Sequence, residues 1–137
     1  MSLYYADTSA VIKLLAEEEH SLALAAFYDE DTDAEWVSSA LLKIELTRAV
    51  TRAMPVLMPD ARDLLRAFSY VSIDDDIVEA AMNEPDRGLR SLNAIHLATA
   101  RIFGDELDAL VSYDDRLLRA AGEAGLPTAS PREGARS

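Results

Sequence analysis

Residues 3 to 9 read Leu-Tyr-Tyr-Ala-Asp-Thr-Ser, with four apolar or aromatic side chains followed by an acid and two hydroxyls. A short apolar run cut off by polar residues has the pattern of a buried strand. Beyond it, Thr8 or Ser9 can cap a helix whose Val11, Leu14 and Leu15 fall at helical spacing. Asp7 is therefore expected at the carboxyl end of a strand, where a helix begins.

The alternation continues outward from this unit. A second amphipathic segment is predicted from about His20 to Tyr28, followed by an acidic loop from Asp29 to Asp33. Trp36-Val37 reads as a second strand, and Ser38 or Ser39 would cap a long helix to about Met54, where Pro55 ends it. Pro59-Asp60 opens a helix to about Phe68, Tyr70 to Ile73 is a third strand, and Asp74 to Asp76 lead into a helix ending near Asn83. Pro85-Asp86-Arg87-Gly88 is a turn. From Ser91 to Phe103 the sequence is apolar around nearly the whole helical wheel, as expected of a helix buried in the middle of the fold. Ala109 to Ser112 is a fourth strand, Asp115 to Ala124 a helix with Leu117, Leu118 and Ala121 on one face, and Thr128-Ala129 a last short strand. Strands alternating with helices imply a parallel α/β sheet covered on both faces. One domain over residues 1–130 is expected, without internal repeat or linker, and a polar tail over 131–137 that frays.

Composition bounds the chemistry. With 137 residues, half of them hydrophobic, the chain can bury one sizeable core. No apolar run approaches a membrane span and none at the start forms a signal-peptide core, so a cytoplasmic protein is expected. The absence of cysteine excludes disulfides and thiolate sites, leaving oxygen or imidazole ligands for any metal. A net charge of -12, from 25 acids against 13 bases, argues against binding of nucleic acid by phosphate neutralisation alone. Either the acids include a cation-binding cluster, or they form a solubilising surface that also suits a basic partner.

Three acids break the amphipathic pattern. Asp7 and Asp114 both close apolar strands at the carboxyl end, where open α/β sheets place their ligands. Glu45 lies at the margin of the apolar stripe Leu42, Leu46, Ala49, Val50 and Ala53, so its carboxylate faces the core side and needs a partner. Asn93 occupies the least apolar wedge of the buried helix, with His96 one turn along. Carboxylates driven together repel and stay protonated unless a cation neutralises them, and an all-oxygen shell suits Mg²⁺ or Mn²⁺. Such an ion would activate water against a phosphodiester.

Each residue also has a structural reading. Asp7 and Asp114 can be helix caps, Glu45 can pair with Arg48 one turn away, and Asp74 to Asp76 suit capping and solvation. Asp115, at a helix start, suits a cap, and His96 is assigned to buried hydrogen-bonded structure. Arg48, Arg52, Arg87, Arg90 and Arg116 offer phosphate contacts, but soluble helices carry such residues routinely.

In order along the chain, Tyr-Ala-Asp-Thr-Ser-Ala-Val-Ile-Lys-Leu at 5–14, Ser-Ser-Ala-Leu-Leu-Lys-Ile-Glu-Leu-Thr-Arg-Ala at 38–49, Leu-Asn-Ala-Ile-His-Leu-Ala-Thr-Ala at 92–100 and Val-Ser-Tyr-Asp-Asp-Arg-Leu at 111–117 resemble the PIN-domain ribonucleases, most of all the VapC toxins of VapBC toxin–antitoxin pairs. The resemblance implies a three-layer α/β/α fold with a central parallel sheet of four to five short strands. It implies Mg²⁺ or Mn²⁺ as cofactor, endonucleolytic cleavage of RNA, and a homodimer. A VapB-type antitoxin partner is also implied, through which alone DNA would be engaged. Asp7, Glu45 and Asp114 match three of the family's metal-site acids. Where the family has a fourth, Asp before Ala-Ile-His, this chain has Asn93. An amide oxygen supplies no charge, so metal affinity is expected to fall on the order of tenfold.

Two other functions compete with a weakened ribonuclease. An inert PIN-fold binding or regulatory module needs no acid at 93. A phosphate-accepting receiver domain is also α/β with acids at strand ends, but it requires a late lysine, and Lys13 and Lys43 are both early. A structure-specific DNA nuclease is disfavoured by the short length and the lack of a basic clamp.

Overall fold

In the computed structural model, which describes residues 1–134, the opening apolar run forms β1 (Leu3–Ala6) and passes through Asp7 into α1 (Thr8–Leu15). The cap of α1 is Asp7 itself, because it keeps the extended backbone of the strand and its short side chain reaches the Ala10 N–H. Thr8 and Ser9, predicted as caps, lie inside the first turn. There follow α2 (Ser21–Glu30), β2 (Glu35–Ser39), α3 (Leu41–Ala53), α4 (Met58–Arg66), β3 (Ser69–Val71), α5 (Asp75–Met82), α6 (Ser91–Arg101), β4 (Ala109–Val111), α7 (Asp115–Glu123) and β5 (Thr128–Ala129). Strand β2 extends through Ser38 and Ser39: Ser38 Oγ donates to the Ala6 carbonyl at 2.6 Å, and Ser39 Oγ accepts the Leu41 N–H at 3.0 Å.

All five strands are parallel, in the order β3-β2-β1-β4-β5. The chain winds from β1 outward to β3, then returns across the sheet to β4 and β5, so its direction of winding reverses between β1 and β4. That boundary is the switch point at which open parallel sheets leave a crevice.

Residues of each strand alternate between the two faces. Tyr4, Ala6, Trp36, Ala109 and Val111 join the core under α1 to α4, whereas Tyr5, Val37 and Leu110 join the core under α6 and α7. Helix α6 buries Ala94 and the run His96 to Ala100, as its composition predicts. It lies in an outer layer of the sandwich, however, and therefore leaves Leu92, and Ile102 just beyond its end, exposed. Asp74 caps α5 by accepting the Ile77 N–H, in line with its structural reading. At α7 the cap is Asp114, not Asp115, because Asp114 is the residue that retains extended backbone.

The start of the tail is tied down rather than frayed. Tyr113 donates to the Pro131 carbonyl at 2.6 Å, and Glu133 and His20 each accept the other's backbone N–H through their side chains. Residues 135–137 lie outside the described residues. Among the described residues no helix is long and apolar enough to cross a membrane.

Candidate metal centre

The register Tyr4↔Ala109, Tyr5↔Leu110, Ala6↔Val111 brings the chain just beyond β1 alongside the chain just beyond β4. Asp7 donates its N–H to the Val111 carbonyl at 3.3 Å, and its carboxylate meets Ser112. Ser112 Oγ donates to Asp7 Oδ2 at 2.8 Å and accepts the Asp114 N–H at 3.0 Å, which joins the two acids through one hydroxyl. Ser9 Oγ donates to Asp7 Oδ1 at 2.7 Å. Asp7 is only 3% exposed, and its contacts are hydroxyls and an amide, with no cationic side chain in direct reach among the described residues. Burial pushes its carboxyl above the ordinary value; the field of His96 and the bonds from Ser9, Ser112 and Ala10 oppose that rise without cancelling it.

Asn93, in the first turn of α6, donates Nδ2 to Asp114 Oδ2 at 3.0 Å. The other Asp114 oxygen accepts the Arg116 and Leu117 N–H groups and caps α7. An acceptor facing the amide requires the amide to present its NH₂, so this orientation follows from the pairing. An aspartate at 93 would instead set two carboxylates face to face at this separation. Asn93 thus converts a repulsion into a hydrogen bond.

Glu45 faces inward from α3, as its place beside the apolar stripe predicts, but its partner is not Arg48. Its Oε1 accepts from Thr8 Oγ1 at 2.6 Å and lies 2.8 Å from His96 Nε2. The His96 Nδ1 lies 2.6 Å from the Tyr5 hydroxyl, which accepts the Ser39 N–H at 3.2 Å. One direction of donation satisfies this chain: Ser39 to Tyr5, Tyr5 to Nδ1, Nε2 to Glu45. Burial drives the Glu45 carboxyl upward, but the hydrogen bonds from His96 and Thr8 outweigh it and hold the group below its ordinary value. His96 is buried and doubly bonded, the structural role its sequence position suggests. Burial also raises the Tyr5 hydroxyl far above the usual phenol range.

The structure therefore brings Asn93 and Asp114 into contact, joins Asp114 to Asp7 through Ser112, and turns Glu45 toward His96. Among the described residues, no three Asp, Glu or His side chains converge closely enough to surround an ion. The donor set nevertheless fits a hard divalent ion. It is all oxygen, the buried Asp7 carboxylate has no cation in contact, and Asn93 Oδ1 takes no hydrogen bond among the described residues. The hydroxyls of Ser9 and Ser112 and the Tyr5–His96 pair were not singled out as site residues from sequence. The signal available was local, a hydroxyl within two residues of each strand-end acid.

The PIN domain family model matches residues 4–123. The chain belongs to the PIN-domain family. Among its relatives, ribonuclease VapC35 of Mycobacterium tuberculosis (strain ATCC 25618 / H37Rv) is 40% identical over 131 residues, covering 94% of this PIN domain and 97% of the relative. Ribonuclease VapC46 of the same strain is 34% identical over 131 residues, covering 96% and 99%. Among solved structures, a chain of a toxin–antitoxin complex from Klebsiella pneumoniae superposes with a TM-score of 0.69 at 22% identity, covering 97% of this PIN domain and 99% of that chain. A chain of DNA-bound VapBC from Salmonella typhimurium superposes at 0.73 with 12% identity, covering 95% and 98%. At such identities the structural likeness is one of fold.

Proposed function

We propose that this PIN domain is the toxin of a type II toxin–antitoxin pair, a Mg²⁺- or Mn²⁺-dependent endoribonuclease whose acid site is weakened by Asn93. The observation that carries the reading is the crevice between β1 and β4, where Ser112 links Asp7 to Asp114 and Asn93 closes on Asp114. The relatives named ribonuclease VapC supply the substrate class. Asp7, Asp114 and Glu45, with the Asn93 carbonyl oxygen, would hold the ion, which when bound would lower the pKa of an attacking water and hold a phosphate oxygen. Ser9 and Ser112 orient the Asp7 carboxylate, the α7 cap orients Asp114, and His96 and Thr8 orient Glu45.

The net charge of -12 suits a basic antitoxin segment, in keeping with the toxin–antitoxin complexes whose chains share this fold. A homodimer is supported by exposed Val78 and Met82 on α5 and exposed Leu92 on α6, which packs against α5.

A second reading, an inert PIN-fold binding module, is favoured by one feature, the Asn93–Asp114 hydrogen bond that satisfies the site without metal. The deciding experiment compares the chain with its Asn93→Asp version for Mn²⁺-dependent cleavage of folded RNA, with Asp7→Ala in the Asp version as control. Cleavage by the Asp version at least about tenfold faster than by the parent is expected. If the Asp version neither binds Mn²⁺ nor cuts RNA, the ribonuclease reading fails and the binding module replaces it.

A further inference from the structure

The tail of the chain is fastened to the start of α2 through one residue, His20. Among the described residues it is the one non-glycine position with a left-handed backbone, at φ 69°. Side chains with a Cβ adopt that conformation rarely, and surrounding contacts must hold it. His20 occupies the N-cap of α2, yet its side chain makes no capping bond to that helix. Its polar groups turn to the tail instead. The His20 N–H donates to Glu133 Oε2 at 3.1 Å, and His20 Nδ1 accepts the Glu133 N–H at 3.0 Å, closing a reciprocal clip across 113 residues of chain.

The clip lies over Tyr113. The His20 ring stacks on the Tyr113 ring, with centroids 6.3 Å apart and 11° between the planes. The Tyr113 hydroxyl donates to the Pro131 carbonyl at 2.6 Å, and the Arg132 guanidinium lies 6.0 Å from the same ring. Residues 131–133 thus form a strap across the residue that separates Ser112 from Asp114. The Tyr113 N–H donates to Ser9 Oγ at 2.9 Å, which ties the strapped loop to the hydroxyl that orients Asp7.

The geometry fixes the protonation state of the clip. A backbone N–H only donates, so Nδ1 carries no proton, and the single ring proton sits on Nε2, 3.6 Å from Glu19 Oε1. A doubly protonated ring has two donors and no acceptor. The charges facing it compete. Glu19 and Glu133 favour the cation, whereas Lys13 on α1, 4.9 Å from the Tyr113 centroid, and Arg132 oppose it from across that ring. Lys13 is in turn paired with Glu18 at 3.5 Å, and Arg132 with Asp115 at 4.0 Å. Tyr113 stays neutral throughout, because burial pushes its hydroxyl up to about 12.

We propose that the His20–Glu133 clip is a pH-gated latch, which holds the C-terminal strap closed over Tyr113 while His20 is neutral and releases it when the ring takes a second proton. The Glu133 carboxylate attracts the charged ring but cannot keep the clip, since Nδ1–H and the Glu133 N–H would then face each other as two donors. Histidine is the side chain whose charge changes between pH 5 and 8, so a small fall in pH is enough to work the latch. The proposal does not depend on the ribonuclease reading.

The test follows the full ¹⁵N-labelled chain with ¹³C-labelled histidine by NMR in EDTA from pH 5.5 to 8. His20 and His96 are the only histidines, and His20→Phe assigns their ring signals. Protection of the Glu133 N–H against exchange should fall about tenfold as pH falls, the effect of losing one hydrogen bond, with the same midpoint as the His20 ring. His20→Phe keeps a ring against Tyr113 without an acceptor, and its strap should be open at every pH. Glu133→Gln removes the carboxylate but keeps the N–H, and its strap should still open with the His20 ring. Circular dichroism checks the fold of both variants, and if His20→Phe does not fold, the parent and Glu133→Gln titrations decide. Constant Glu133 protection while the His20 ring titrates overturns the latch, as does full protection in a folded His20→Phe. Loss of the shared midpoint in Glu133→Gln also overturns it, by making the carboxylate the gate.

Discussion

The Asp7 corner and the Glu45 corner of the site carry the same functional group and lie on neighbouring elements, yet their surroundings differ in the hydrogens they supply. Asp7 is almost completely buried among neutral donors, from Ser9, Ser112 and the Ala10 amide, and its acidity falls. Glu45 is only part-buried, receives Thr8 and faces the His96 ring, and its acidity rises. Neutral hydroxyls orient a buried carboxylate but do not compensate the loss of water around a full charge. The Asp7 corner is therefore short of positive charge, whereas the Glu45 corner has an imidazole N–H donor within the fold. Under the proposed function, a divalent ion would gain most from the first.

The largest expected effect breaks this contrast at Asp7. In the Asn93→Asp version, Asp7→Asn should reduce RNA cleavage by about 100-fold, the upper range for disturbing metal affinity, while circular dichroism shows an intact fold, because asparagine caps a helix as well as aspartate does. A variant that cuts as fast as its parent would remove Asp7 from the site. Next in size is the Glu45 corner. His96→Ala leaves the Tyr5 hydroxyl and Glu45 without their shared partner and opens a void, for a loss of about 3 kcal/mol in urea unfolding. A loss below about 1 kcal/mol would show that the Tyr5–His96–Glu45 chain contributes orientation and little stability.

Asn93→Asp sharpens the comparison further, because it extends the charge deficit from Asp7 to Asp114. In EDTA the variant should unfold at lower temperature, by about 1–2 kcal/mol, since a hydrogen bond becomes a carboxylate pair. Mn²⁺ should recover that loss in the variant and act weakly on the parent. Equal Mn²⁺ responses in both would show that the charge at 93 is irrelevant to metal.

The smallest effect is on pH dependence in EDTA, where the two corners have opposite signs. A raised Asp7 pKa means its contribution is present below the unfolded value and lost as pH rises through the folded one. Asp7→Asn should therefore gain more in melting temperature at pH 7 than at pH 3.5. A lowered Glu45 value means its contribution is present above the unfolded value and lost as pH falls through the folded one. Glu45→Gln should lose more at pH 7 than at pH 3.5. Parallel pH trends in the two variants would contradict the opposed environments.

Much of this was legible in residue order. The strand at 3–6 with an acid after it, the helix that ends before Pro55, the buried face of α6 and the Asp74 cap all follow from local pattern, because apolar periodicity and capping chemistry act over a few residues. The errors also have local causes. Thr8, Ser9 and Asp115 were as suitable for capping as their neighbours, and only the backbone angles at the strand ends selected Asp7 and Asp114. Glu45 paired with His96 rather than Arg48 because a contact between α3 and α6 spans 51 residues of chain and has no expression in i,i+4 spacing.

Sequence alone determined the alternation of strands and helices, the parallel sheet, and the identity of Asp7, Glu45, Asn93 and Asp114 as the polar residues that interrupt apolar patterns. Tertiary structure decided how those residues meet. The return of the chain across β1 to β4 sets Ser112 between two acids and gives Asn93 to Asp114 and His96 to Glu45. The reason is physical: hydrophobic period and capping are properties of adjacent residues, whereas the pairing of a buried charge depends on which distant element the packed sheet places against it.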